Sequence, residues 1–333
     1  MKKNCLYLFI ILATTLLPIS TSAQSFKDYK MRAMCGDAIA QYKVGVCYAN
    51  GTEVERSTKD AAYWWLMAAE NGALQAQFDI AYCYQYGVGV EENQEEATKW
   101  YKIAAEGGHS DAQYCLGLRY SKGDGVNKND TEAFKWFCKA AEQGDINGLF
   151  SVGYCYLTGT GVEKDSAMAV KYLKRSEELS SSQYYLGVCY EYGDGVLKSK
   201  TEAMKWYLKA AEKGDRNAQN RLALMLFNEG KHTEAFGWWQ KAAERGEIIS
   251  ILKVGYCYLY GKGTEMDKRE AISYFIKAAE MGLAEAQSIL GACYLYGEGV
   301  DKNVDEAIKW LRQAARGGDK EAKLLLNNLE LTW

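Results

Sequence analysis

The sequence predicts an all-α protein, a right-handed α-solenoid of eight helix-turn-helix repeats closed by a C-terminal capping helix. Three observations carry this. The 333 residues contain one proline, Pro18, and many Ala, Leu, Lys and Glu, a composition that favours helices over turns. Small residues recur in one context at Gly45, Ala81, Gly117, Gly153, Gly187, Ala223, Gly255 and Gly291, with spacings of 36, 36, 36, 34, 36, 32 and 36. A fixed period of that length marks a repeat architecture. Each interval also holds two amphipathic segments: Ala76, Ile80, Cys83 and Tyr84 share one stripe, and Ala97, Trp100, Ile103 and Ala104 another. Such a hairpin cannot bury its apolar stripe alone and must stack on neighbours.

Residues 1–23 read as a signal peptide. Lys2 and Lys3 form a basic n-region, Leu6 to Leu17 an apolar run, and Thr21-Ser22-Ala23 a small-residue cleavage site. The run is too short for a membrane span, which needs about 20 apolar residues, so the mature chain is expected to begin at Gln24, to be exported, and to have no membrane span. Residues 24–35 are a lead-in, 36–318 the eight repeats, and 319–333 a capping helix in which Ala322, Leu326 and Leu329 match a first helix. Within a repeat, Gly87 and Gly89 are expected to let the chain leave the first helix through positive φ, and Gly107-Gly108 to do so after the second. Trp64, Trp100, Trp136, Tyr172, Trp206, Trp238, Tyr274 and Trp310 are expected to fill the wider interhelical gaps. Around Asn228-Glu229-Gly230 the Gly-x-Gly-Val loop is lost, which predicts a shorter hairpin in the sixth repeat.

Composition bounds the function. A formal charge of −3, or −5 without Lys2 and Lys3, argues against a nucleic-acid binder. With only His109 and His232, histidine-built zinc sites and His-dependent catalytic arrangements have almost no material, and neither histidine has an evident partner in sequence. The Gly-x-Gly-Val loops lack the third glycine and preceding strand of a dinucleotide site. Ser250 and Lys253 form a Ser-x-x-Lys match without the accompanying Ser-Asp-Asn and Lys-Thr-Gly elements. No catalytic residue, metal or cofactor is therefore expected.

The pattern Ala-Gln-x-x-Leu-Gly-x-x-Tyr, Gly-x-Gly-Val, x-Ala-x-x-Trp-x-x-Lys-Ala-Ala-Glu-x-Gly resembles the Sel-one-like repeat family, relatives of the tetratricopeptide repeats. Leu116-Gly117 with Tyr120 and Leu186-Gly187 with Tyr190 carry it, among others. The resemblance implies a protein-binding adaptor or scaffold and supplies no catalytic residues. Cys47, Cys83, Cys155, Cys189, Cys257 and Cys293 share one inward position. Stacked helices stand about 8–10 Å apart, whereas a disulfide needs Cα atoms within about 7 Å, so these read as buried thiols; Cys115 and Cys138 are the one pair that could bridge. The second cysteine per repeat with which some secreted members of the family bridge successive helices is missing here.

By similarity with tetratricopeptide repeats, positions equivalent to Phe78, Tyr82, Gln85 and Tyr86 line a concave groove. They recur as Tyr154 and Tyr256 at one position and as Tyr192, Tyr260 and Tyr296 at another. Tyrosine pairs an apolar face with a hydroxyl and suits recognition. Phe78, Tyr82, Tyr86, Tyr154, Tyr192, Tyr256, Tyr260 and Tyr296 are thus the expected contacts for a protein or peptide partner, with ordinary packing between repeats as the other reading, above all at the Phe78 position, where aromatics are usual in the family. The alternatives are a cell-envelope enzyme, which would need a clustered set of acids, bases or nucleophiles, and a carbohydrate-binding module using tyrosine stacking. Lys139 with Glu142, Lys209 with Glu212 and Lys277 with Glu280 are expected to pair on a solvated outer face.

Overall fold

The computed structural model describes residues 25–332; the proposed signal peptide lies outside them. Among the described residues there are eighteen α-helices and no strand, in two compact units divided between Arg175 and Ser176. The first unit comprises α1 (Phe26–Met34) and four hairpins: α2 (Ala38–Asn50) with α3 (Thr58–Glu70), α4 (Leu74–Tyr86) with α5 (Gln94–Glu106), α6 (Ser110–Lys122) with α7 (Asp130–Glu142), and α8 (Ile146–Thr158) with α9 (Ser166–Arg175). The second comprises α10 (Ser180–Tyr192) with α11 (Lys200–Glu212), α12 (Arg216–Asn228) with α13 (His232–Glu244), α14 (Ile248–Tyr260) with α15 (Lys268–Glu280), α16 (Ala284–Tyr296) with α17 (Val304–Arg316), and α18 (Lys320–Asn328). Each helix packs on the next within its unit. No described helix is long and apolar enough to cross a membrane.

Local chemistry sets the helix ends. Second helices begin at Ser57, Asn93, Asn129, Ser199, Asp267 and Asn303, whose side chains accept first-turn N–H groups that have no partner inside the helix. First helices end on a left-handed glycine, as at Gly87 (φ 66°), except in the sixth repeat, where Glu229 is the C-cap at φ −88°. After the second helix only one glycine of the pair reverses the chain: Gly107 keeps right-handed helical geometry and Gly108 takes φ 93°. The lead-in contains an unanticipated helix, α1, opened by a reciprocal capping box between Ser25 and Asp28. It covers α2 by packing Phe26, Tyr29 and Ala33 with Ala40, Val44 and Tyr48. At the other end, α18 buries Ala322 and Leu326 against Leu311, Ala314 and Ala315; the helix stops at Asn328, so Leu329 is its C-cap.

A buried glutamine joins successive repeats. The Nε2 groups of Gln41, Gln77, Gln113, Gln219 and Gln287 donate to the carbonyls of Ala33, Ala69, Ala105, Ala211 and Ala279, each eight residues earlier, at 3.0–3.2 Å. These are last-turn carbonyls of the preceding helix, which would otherwise be buried without a donor.

The small residue of each first helix is a hole, and the side chain filling it lies one position beyond the expected aromatic. A Cβ on Gly187 would stand 2.6 Å from the Tyr207 ring, on Gly255 2.6 Å from Phe275, on Gly117 2.5 Å from Phe137, and on Gly291 2.7 Å from Leu311. Tyr207, Phe275 and Leu311 are completely buried. Of the expected gap-fillers, Trp100 and Trp136 are buried, whereas Trp64, Tyr172, Trp206, Trp238, Tyr274 and Trp310 are only half-buried. The helix face is simply rotated by about 100° per residue from the one assumed. Rings at this position serve the lysines, whether buried or half-buried: Lys139, Lys209 and Lys241 place Nζ 3.8–4.2 Å from the centroids of Trp136, Trp206 and Trp238. The i,i+3 ion pairs that do form are first-turn pairs such as Glu132 with Lys135 and Glu202 with Lys205.

The nine cysteines of residues 25–332 are all free thiols, Cys115 and Cys138 included. Burial pushes the thiols of Cys138, Cys155, Cys257 and Cys293 up to about 11, which disfavours the reactive thiolate. The sixth repeat has the short connection expected: residues 229–231 join α12 to α13 through Gly230. Glu229 replaces the missing loop contacts with ion pairs to Lys200 and Lys231 at 3.0 and 3.2 Å.

Candidate functional site

The predicted contact residues separate by burial. In the first unit, Phe78 is only 4% exposed, its ring stacked on His109 at 4.6 Å and tilted against Tyr101 at 5.7 Å. It is a packing residue, which corrects its assignment to a partner-facing surface: the turn after α5 brings the His109 imidazole over it. Tyr82 is half-buried and lies 4.5 Å from the exposed Tyr86, while Tyr154 on α8 is exposed beside Phe150.

His109 is far from partnerless. Its Nδ1 accepts from the backbone N–H of Ala112 at the start of α6, and its Nε2 stands 3.1 Å from Gln75 Oε1. With Nδ1 accepting, the neutral ring carries its proton on Nε2 and donates to Gln75. Gln75 Nε2 donates in turn to Asp79 Oδ1 at 3.0 Å, and the Tyr42 hydroxyl also bonds Asp79. One hydrogen-bond chain therefore links α2, α4 and the start of α6. Burial raises Asp79 from 3.8 to about 7, against the pull of the Gln75 and Tyr42 bonds, and burial lowers His109 below 6.5.

These shifts have opposite consequences. As pH rises above about 4 the unfolded chain releases the Asp79 proton first, so this carboxyl destabilises the fold increasingly up to about pH 7. As pH falls below 6.5 the unfolded chain protonates His109 first, so stability falls with falling pH. Asp79→Asn is expected to raise stability by about 1 kcal/mol or more near pH 8 and to change it little near pH 4. Urea unfolding at the two pH values checks this; an equal difference at both would mean that Asp79 ionises in the fold as it does in water.

In the second unit, Tyr192 is exposed, with its hydroxyl 3.4 Å from the Arg221 guanidinium; Arg221 pairs at 3.7 Å with Glu191, which accepts from the buried Tyr207 at 2.6 Å. Tyr256 is half-buried and donates its hydroxyl to Glu285 Oε1 at 3.2 Å. Tyr260 stacks on Tyr256 at 6.1 Å and 12° yet remains 63% exposed, and Tyr296 is 64% exposed. Beside Tyr256 a cavity of about 430 Å³ is lined by Glu285, Ser288 and Ile289 of α16 and by residues 318–321 at the start of α18. Glu285 was missed in the sequence. Its signal is a spacing: Tyr192 to Arg221 and Tyr256 to Glu285 are both 29 residues apart, one repeat minus two helical turns. Among the described residues no set of three His, Cys, Asp or Glu side chains could hold a metal ion.

The Sel1 repeat family model matches residues 38–72, 74–109, 110–145, 146–181, 180–215, 216–247, 248–283 and 284–319. The chain belongs to the Sel1 repeat family. It is similar to the crystal structure of a Sel1 repeat protein from Oxalobacter formigenes, at 27% identity and a TM-score of 0.73, covering 94% of this chain and 98% of that one. It is also similar to c5321, a protective antigen of uropathogenic Escherichia coli strains with an SLR fold, at 26% identity and a TM-score of 0.52, covering 99% and 88%. No curated protein matches the chain. Sel1 repeat proteins are generally protein-interaction scaffolds and typically not enzymes.

Proposed function

We propose that this Sel1 repeat chain is an exported scaffold that binds a peptide or protein through tyrosines on the first helices of its repeats. The observation that carries the reading is the pair Tyr260 and Tyr296. They occupy the same register in successive repeats, and each large ring leaves more than 60% of its surface in solvent. Exposed aromatics cost solvation without helping the fold and are enriched among the residues that dominate interfaces. Export rests on the basic n-region, apolar run and Thr21-Ser22-Ala23 site. The test is affinity purification of the chain from its own envelope fraction, with mass spectrometry of what accompanies it and sequencing of its N-terminus. Expected are an N-terminus at Gln24 and protein partners that the Tyr260→Ala/Tyr296→Ala variant fails to retrieve. An intact Met1 on cytoplasmic protein overturns export, and an unchanged partner set overturns the tyrosine surface.

A further inference from the structure

The cavity beside Tyr256 has the chemistry of a cation site. Its walls come from α14, α16 and the start of α18, and they carry three carboxylates, Glu285, Asp319 and Glu321, against one cation, Lys320. Glu285 uses Oε1 to accept from Tyr256. Asp319 is committed to the N–H of Ala322 at 2.7 Å, which also occupies a helix-start donor that an anion would have used. Glu321 lines the cavity and has no hydrogen bond or ion pair among the described residues. Ser288 is only 4% exposed, lines the same cavity, and its hydroxyl has no hydrogen-bond partner among the described residues. The hydroxyl of this nine-tenths-buried residue is thus open to the cavity and available to a group that enters it. On the cationic side, Lys320 lines the cavity, and Lys253 is drawn to the Tyr256 ring at 5.4 Å. The charges of Glu285 and Glu321 both act on the Tyr256 hydroxyl and, after burial, hold its pKa up.

We propose that this cavity receives the guanidinium or ammonium group of an arginine or lysine on the bound peptide. The inference rests on the scaffold reading and gives its partner a chemistry. Glu285 and Glu321 supply the countercharge, Ser288 a further acceptor, and Tyr256 with Ile289 the apolar wall for the side chain's methylene stem. The exposed Tyr260, stacked on Tyr256, carries the surface outward from the cavity.

The probe is a fluorescein-labelled peptide of alternating glycine and arginine, with a glycine–glutamate peptide as its counterpart, titrated against the full chain by anisotropy. The arginine peptide is expected to bind, more weakly as salt rises, and the glutamate peptide is not. Glu285→Gln/Glu321→Gln keeps an acceptor for Tyr256 and is expected to weaken the arginine peptide by about tenfold or more. Glu212→Gln/Glu234→Gln, which removes the same charge from exposed positions on second helices, is expected to retain wild-type affinity. Equal losses in both double variants would make the binding a net-charge effect and overturn the site. Unchanged affinity in the first variant, binding of neither peptide, or preference for the glutamate peptide would also overturn it. If the tyrosine variant loses its envelope partners while the carboxylate variant binds the arginine peptide as wild type does, only the cavity inference falls; if the tyrosine variant keeps every partner, the scaffold reading falls whatever the peptides do.

Discussion

Gly125→Ala is expected to destabilise the first unit by about 3 kcal/mol or more, although it adds one methyl group to a surface loop. Two effects combine. Gly125 has φ 64°, a region that costs an L residue about 1–2 kcal/mol. The new methyl would also overlap the main-chain carbonyl of Gln94 at the start of α5, in the preceding repeat. A flexible side chain could swing aside, but a helix backbone cannot, so the loop must move. That loop is fastened to α5 by Thr98 Oγ1, which donates to Asp124 O at 2.9 Å, and α6 is held to the same turn of α5 by Arg119, which donates to Gln94 O at 2.7 Å and to Thr98 Oγ1. Arg119 is a guanidinium only 3% exposed, standing where most repeats have cysteine, and its hydrogen bonds to Thr98 and Gln94 go to uncharged oxygens. Displacing the loop would break the Thr98–Asp124 bond beside the buried Arg119 guanidinium, so a hydrogen bond is lost in addition to the strain. Gly144→Ala is the comparison. Gly144 also has positive φ, at 84°, but a Cβ there meets nothing within 4 Å, so only the conformational cost of about 1–2 kcal/mol remains. Urea unfolding of the two variants separates the effects; equal losses would show that the close approach to Gln94 carries no energy.

The same glycine shows what the sequence could and could not disclose. The repeat period, the hairpin order and the small-residue holes are legible because stacking demands them at every turn of the pattern, so any one repeat corrects its neighbour. The side chain that fills each hole is less legible. Trp206 and Tyr207, like Trp136 and Phe137, are adjacent large apolar residues, and a periodicity of 3, 4 and 7 admits either when both are apolar. Lys139 had a similar ambiguity, with Trp136 three residues before it and Glu142 three after; it lies over the ring. Helix α1 is short and largely polar, and only the Ser25–Asp28 capping box announces it. At the candidate site, register gave the tyrosines but not what surrounds them. Phe78 is covered by a histidine from the turn that ends its own repeat, and Glu285 reaches Tyr256 across the boundary between repeats. Contacts of this kind depend on how far one hairpin advances along the next, which no single repeat encodes.

Tyr260→Ala/Tyr296→Ala is expected to weaken partner binding by roughly 2 kcal/mol or more, the range of interface hot spots, and to leave the melting temperature nearly intact. The stability half follows from exposure. Removing a buried aromatic costs about 3–5 kcal/mol because a cavity is left in place of dense contacts. At 63% and 64% exposure most of each ring already faces water, and truncation leaves no such cavity. What Tyr260 would lose is its stacking on Tyr256, worth about 0.5–1.5 kcal/mol beyond area. Tyr207→Ala is the matching buried control. Its ring fills the hole at Gly187 and its hydroxyl bonds Glu191, so it should lower stability by about 3–5 kcal/mol. The binding half depends on a partner covering both rings at once. If it does, the two losses should exceed either alone, because both side chains belong to one desolvated patch. Melting temperature and partner affinity, measured side by side on the single and double variants, decide it: a large drop in melting temperature would return both tyrosines to packing, and unchanged affinity would move the recognition surface elsewhere on the repeats.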